Sequence, residues 1–248
     1  RLNQLPLGIV GIAVGTALLP MLSKALAGGD HDKSRHLFNR ALEACFLLAL
    51  PACTGLFVLA YPIVMALFQH GAFDMHAAQM TATVVTAYAM GMPAYVAVKV
   101  FSTAYWAKHD TVTPVKISMV STSLNIALSM FLIFVIGTGV AGIAVATAFA
   151  GWVQIALLFR GLRDREDVRL DARFKEALPK IGGSCLVMGA FLTIAKLTLY
   201  PIFEVSGHFQ EVIIMLALVA GGMIVYGLAI MATGVIKPRD LKGYLVKG

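Results

Sequence analysis

Seven long apolar segments run through the chain, roughly 2–23, 37–69, 77–107, 111–136, 140–159, 178–201 and 210–232. Almost every Lys and Arg falls on alternate loops between them. Each segment reaches or exceeds the ~20 residues an α-helix needs to cross a hydrocarbon core of ~30 Å. Only helices and closed barrels satisfy their backbone in lipid, and these runs are too long for barrel strands. The pattern therefore predicts an all-α polytopic membrane protein with seven transmembrane helices.

The charges set the expected orientation. Lys24, Lys33, Arg35 and Arg40 follow the first segment, and Lys108 and Lys116 flank the turn after the third. Arg160, Arg163, Arg165, Arg169, Arg173, Lys175 and Lys180 follow the fifth, and Lys237, Arg239, Lys242 and Lys247 follow the seventh. The loops 70–76, 137–139 and 202–210 carry no Lys or Arg. Cytoplasmic loops retain cations, so the basic loops and the C-terminus are expected inside and the first segment enters from outside. A chain that starts with Arg1 and enters from outside reads as the C-terminal piece of a larger membrane protein. No charged n-region or cleavage site precedes the apolar run, so it is not a signal peptide.

Composition agrees. The chain is 59% hydrophobic, above the 45–50% typical of soluble domains. Orientation and anionic membrane lipids at the inner surface account for its net charge of +7, and no basic-aromatic motif argues for nucleic acid. Cys45, Cys53 and Cys185 sit within apolar segments without a CxxC pair, and the six histidines are scattered, so no metal and no cofactor is expected. Catalytic motifs are lacking too: there is no HExxH, GxSxG or P-loop.

Helix interruptions mark candidate hinges at Pro6, Pro20, Pro51, Gly91 and Pro93, since proline removes a backbone donor. Gly11 and Gly15 form a GxxxG step suited to close helix packing. Glu43 follows Arg40 by three residues, the spacing of a local ion pair. Lys99, six residues after Pro93, sits inside the third segment; such a cation either faces a polar cavity or snorkels to the inner boundary. Lys196, close to Pro201, is expected to snorkel to the outer headgroups. Gly137 to Gly142 spells GxGxxG, but between two membrane helices it reads as a tight turn, not a dinucleotide site. The stretch 160–180 mixes charges with Leu162, Val168, Leu170, Phe174 and Leu178, as an amphipathic surface helix would.

Three motifs then match one family. Arg1-Leu2-Asn3-Gln4-Leu5-Pro6-Leu7-Gly8, with Gly15-Thr16 and Leu19-Pro20, resembles the eighth helix of the MurJ (MviN) lipid II flippases. Leu67-Phe68-Gln69-His70-Gly71-Ala72-Phe73-Asp74 resembles an outer loop of that family. Lys99-Val100, Tyr105, Asp110, Thr113, Pro114 and Lys116 resemble its tenth and eleventh helices. The resemblance implies the C-terminal half, helices eight to fourteen, of a fourteen-helix member of the multidrug/oligosaccharide-lipid/polysaccharide exporter superfamily. On that reading 1–160 is most of the C-terminal transporter lobe, 161–177 a cytoplasmic amphipathic connector, and 178–248 two extra helices with a basic tail.

The family moves lipid II, an undecaprenyl-diphosphate-linked peptidoglycan precursor, from the inner to the outer leaflet of the bacterial plasma membrane. The resemblance implies that Arg1 and Lys99 are cavity cations for the diphosphate, and that the extra helices form a groove for the lipid tail. It also implies alternating access without covalent chemistry, a partner in the missing N-terminal lobe of the same protein, and an inactive fragment. A polysaccharide-lipid or multidrug exporter of the same superfamily, or a polytopic enzyme of lipid-linked glycan metabolism, are the rival readings.

Overall fold

The computed structural model describes residues 14–68, 75–163, 165–205 and 208–235, together with Gly8 and Ile12. Among these the chain is helical throughout its regular structure. A wide π turn at Val14–Leu18 leads into α1 (Leu19–Ala27), followed by α2 (His31–Phe68), α3 (Met75–Trp106) and α4 (Val112–Phe131). A second π turn, Leu132–Ile136, extends α4, and α5 (Val140–Leu162), α6 (Ala172–Val205) and α7 (His208–Ala232) complete the order. Among the described residues six helical stretches are long and apolar enough to cross a membrane, and they coincide with segments two to seven of the sequence. The first segment is described only in part. At about 57 Å, α2 is far longer than the ~30 Å hydrocarbon core and extends beyond it.

Local chemistry places the breaks. Gly28 ends α1, Gly29 adopts φ 71°, and the Asp30 carboxylate accepts the Lys33 amide at 2.9 Å to open α2. Asp110 and Asp171 repeat the device, accepting the amides of Thr113 at 3.0 Å and Phe174 at 2.7 Å. Acidic residues at helix starts satisfy amides that the first turn leaves unbonded. The Thr113 amide accounts first for an Asp110 carboxyl held below its ordinary value, with nearby Arg165 contributing. Between α4 and α5, Gly137 (φ 76°) and Gly139 (φ 59°) occupy positive-φ positions, and a Cβ at Gly142 would strike Thr138. The GxGxxG run is a tight turn, as its glycine spacing between two membrane helices implied.

Packing centres on α3, which lies between α2 and α5, while α6 and α7 pair with one another and lie against α2. Small residues let α3 and α5 approach: Gly91 faces Ala148, and Ala94 faces Gly151. Lipid tails are as apolar as side chains, so close van der Waals contact has to hold such an interface. Two tyrosines of α3 are seated on glycines of α5. A Cβ at Gly151 would stand 2.5 Å from Tyr95 Cε1, and one at Gly161 would collide with the Tyr105 hydroxyl. That hydroxyl, buried, donates to the Leu158 carbonyl at 3.1 Å. By contrast α4 touches mainly α5 and leaves Met119, Ile126, Phe134 and Val135 exposed, a surface suited to lipid or to a further part of the protein.

The prolines inside α2 and α3 have a consistent treatment. A proline at position i leaves the carbonyl of residue i−4 without its helical donor. Pro51 frees Leu47, whose carbonyl accepts the Tyr226 hydroxyl of α7 at 2.8 Å. Pro62 frees Val58, which accepts the Lys196 ammonium of α6 across a long 3.4 Å. Pro93 frees Ala89, which accepts the Cys53 thiol of α2 at 3.0 Å, and the next carbonyl, Met90, accepts the Trp152 indole at 3.0 Å. In lipid no water can take these carbonyls, so neighbouring helices do. Lys196 therefore does not reach for the outer headgroups as expected; its half-buried side chain turns to α2.

Candidate functional site

The basic loops converge at one end. There Arg40 of α2 bonds Glu43, one turn along, and also Asp171 at 2.7 Å; Arg173 reaches Glu43 at 3.4 Å. The expected Arg40–Glu43 pair exists, but as part of a network joining α2 to the start of α6. Fully buried Asn39 completes the join: its amide donates to the carbonyls of Arg35 (2.8 Å) and Arg169 (2.9 Å) and accepts the Asp171 amide at 3.0 Å. Residues 163–171 hold only a 3₁₀ turn at Glu166–Val168, and the helical part of the connector, from Ala172, is continuous with α6. Val168 and Phe174 are buried in the largest apolar cluster, with Phe38, Phe101, Tyr105 and Leu162.

An apolar groove of about 480 Å³ opens between α2, α6 and α7, lined by Leu48, Gly55, Leu59, Met188, Val219 and Met223 among others. Pro51 lies on its wall, and the Tyr226–Leu47 bond closes one side. Pockets of this size hold extended apolar ligands, and glycine at positions 55 and 222 widens the floor.

Lys99 sits on α3, half-buried, between buried Val96 and Val100, with its carbonyl accepting the Thr103 hydroxyl at 2.9 Å. It does not line the apolar groove. Arg1 and Pro6 lie outside the described residues, as does most of the expected outer loop. Pro20 opens α1 directly after the π turn, where a missing donor is tolerated. Gly91 and Pro93 are buried against α5 inside an unbroken α3, so Gly91 has a packing task there: a Cβ would lie 2.9 Å from Ala148 Cα. Among the described residues no His/Cys/Asp/Glu group could hold a metal ion.

Sequence reasoning missed Asn39, Tyr226 and the seats of Tyr95 and Tyr105. The available signals were polar or phenolic side chains in apolar helices, where each must find a partner.

Comparison with known proteins bears on what this arrangement serves. The family described as "MurJ: Lipid II flippase MurJ" matches residues 1–214. A probable lipid II flippase MurJ of Rhizobium meliloti is 34% identical over 227 residues, covering 91% of this chain and 42% of the relative. One from Rickettsia prowazekii is 29% identical over 230 residues, covering 93% and 44%. A solved lipid II flippase MurJ in an inward closed conformation superposes with a TM-score of 0.74 at 25% identity, covering 96% of this chain and 45% of that one. The chain thus spans less than half the length of these proteins.

Proposed function

We propose, from the premise that this chain belongs to the MurJ family of lipid II flippases, that it supplies the diphosphate cation and the tail groove of a flippase moving lipid II from the inner to the outer leaflet of a bacterial plasma membrane. The observation that carries the reading is an apolar groove walled by α2, α6 and α7 on a helix bundle that also holds a half-buried Lys99 on α3. An amphiphile with a charged headgroup and a long polyprenyl tail needs both environments at once. The ammonium of Lys99, with the guanidinium of Arg1, would grip phosphate oxygens. The tail would stay in the groove while the headgroup crosses, and the remaining lobe would close the other side of the cavity by alternating access. Only noncovalent binding changes are needed.

The basic end, with the C-terminal tail, faces the cytoplasm in this reading and meets anionic lipids there. Prolines whose orphan carbonyls are held by side-chain donors suit helices that flex, because such bonds can exchange without unwinding a turn.

Lipid II translocation in proteoliposomes tests the proposal, with the full-length parent beside Lys99→Ala and lipid II binding followed by native mass spectrometry. The parent should translocate, and the variant should lose binding and transport together, by on the order of tenfold or more. Equal transport by the variant would remove Lys99 from the site. A folded parent that moves another lipid but not lipid II would overturn the substrate.

A further inference from the structure

Seven cations lie in 160–180, and the structure treats them unequally. Arg173 is matched by Glu43 at 3.4 Å. Arg165 is fixed over the Tyr105 ring, 5.6 Å from its centroid, and lies near Asp110. The side chains of Arg163, Arg169 and Lys175 make no ion pair or hydrogen bond among the described residues. These three and Arg165 line one cavity of about 530 Å³, with Glu166 as its described carboxylate and Phe101, Phe159, Leu162, Val168 and Leu170 as its apolar wall. Asp164 and the side chain of Asp167 lie outside the described residues.

We propose that this cavity binds a phosphate-bearing anion, specifically the headgroup of an anionic glycerophospholipid from the adjacent leaflet. Among the described residues four cations line this cavity with one carboxylate, an arrangement that phosphate oxygens would complement through charge-assisted hydrogen bonds. The Arg40–Glu43–Asp171–Arg173 network, at the same end of the molecule, shows cations that the fold matches with its own acids. Arg163, Arg169 and Lys175 differ in lining an open cavity without an ion pair among the described residues. The wall selects the source of the phosphate. Phe101 and Phe159 both line the cavity, and Phe159 is 40% exposed. Free phosphate has no use for an aromatic flank, whereas a lipid lays its glycerol and upper acyl chain there. Basic pockets between membrane helices hold anionic headgroups in this way. The Tyr105 ring holds Arg165 in place before the ligand arrives, which lowers the ordering cost of binding.

The adjacent-leaflet assignment rests on the orientation proposed above, but binding in detergent does not, so the two can fail separately. The test uses the full-length parent in detergent, titrated with phosphatidylglycerol or phosphatidylethanolamine and followed by native mass spectrometry. The variant Arg163→Gln/Arg169→Gln/Lys175→Gln should retain phosphatidylglycerol on the order of a hundredfold more weakly, with phosphatidylethanolamine and lipid II binding unchanged. Arg163→Lys/Arg169→Lys should restore most of the retention, which a misfolded protein would not do. The control Lys24→Gln/Lys33→Gln/Lys116→Gln, on other basic surfaces, should have little effect. Equal loss in the control would mean diffuse surface charge and overturn the site. Displacement of phosphatidylglycerol from the parent by millimolar inorganic phosphate would make it a free-phosphate site and overturn the lipid assignment.

Discussion

Tyr226→Phe removes one oxygen, and the structure says what that oxygen does. Pro51 has no N–H, so the Leu47 carbonyl lacks its helical donor, and the Tyr226 hydroxyl supplies one at 2.8 Å. Hydrogen bonds between membrane helices average about 0.6 kcal/mol and reach about 1.7 kcal/mol in measured cycles. The upper end applies here, because the acceptor has no alternative partner in its own helix and no water in the hydrocarbon. Tyr226→Phe should therefore cost about 1.5 kcal/mol. In a Pro51→Ala background the restored amide of residue 51 donates to Leu47, and the same substitution should cost less than about 0.5 kcal/mol. The coupling between the two positions would then be about 1 kcal/mol, well above the error of a double-mutant cycle. Reversible unfolding of the full-length parent in bicelles, by steric trapping, gives the four free energies. An equal cost in both backgrounds would refute the argument that Tyr226 replaces the proline's missing donor.

Two further substitutions test the packing logic. Gly161→Ala should destabilise by about 1–3 kcal/mol through the collision with the Tyr105 hydroxyl, yet be neutral beside Tyr105→Phe, since the ring carbon Cζ lies 3.6 Å away; the same unfolding assay reads both. Asn39→Ala leaves the Arg169 carbonyl and the Asp171 amide without their partner, so it should cost about 2–4 kcal/mol and speed proteolysis within 163–171. Undiminished protection of that stretch would mean that the Arg40–Asp171 pair holds the connector alone.

Apolar length alone gave the spans. Segments two to seven reappear as helices whose ends shift by at most a few residues, except that α2 and α6 begin about six residues earlier. The reason is that Asp30 and Asp171 open these helices in polar sequence, where hydropathy is silent and capping decides. The turn at Gly137–Gly139 and the Arg40–Glu43 pair were equally legible, because both depend on neighbours within a few residues. The candidate site was legible in part. Lys99 could be named as a misplaced cation, but nothing local distinguishes a cavity-facing lysine from a snorkelling one, and for Lys196 the same reasoning named the wrong destination.

The sequence by itself determined the apolar character, six of the seven expected spans and the location of the turns between them, since solvent transfer and backbone donors are properties of each residue and its immediate neighbours. Which donor meets each orphan carbonyl was decided only by tertiary structure. Cys53, Tyr226 and Lys196 lie 36 to 179 residues from the carbonyls they bond, and only the packing angle of whole helices brings them within reach. The same holds for tyrosine on glycine and for Asn39: a buried polar atom announces that it needs a partner, and the fold alone supplies it.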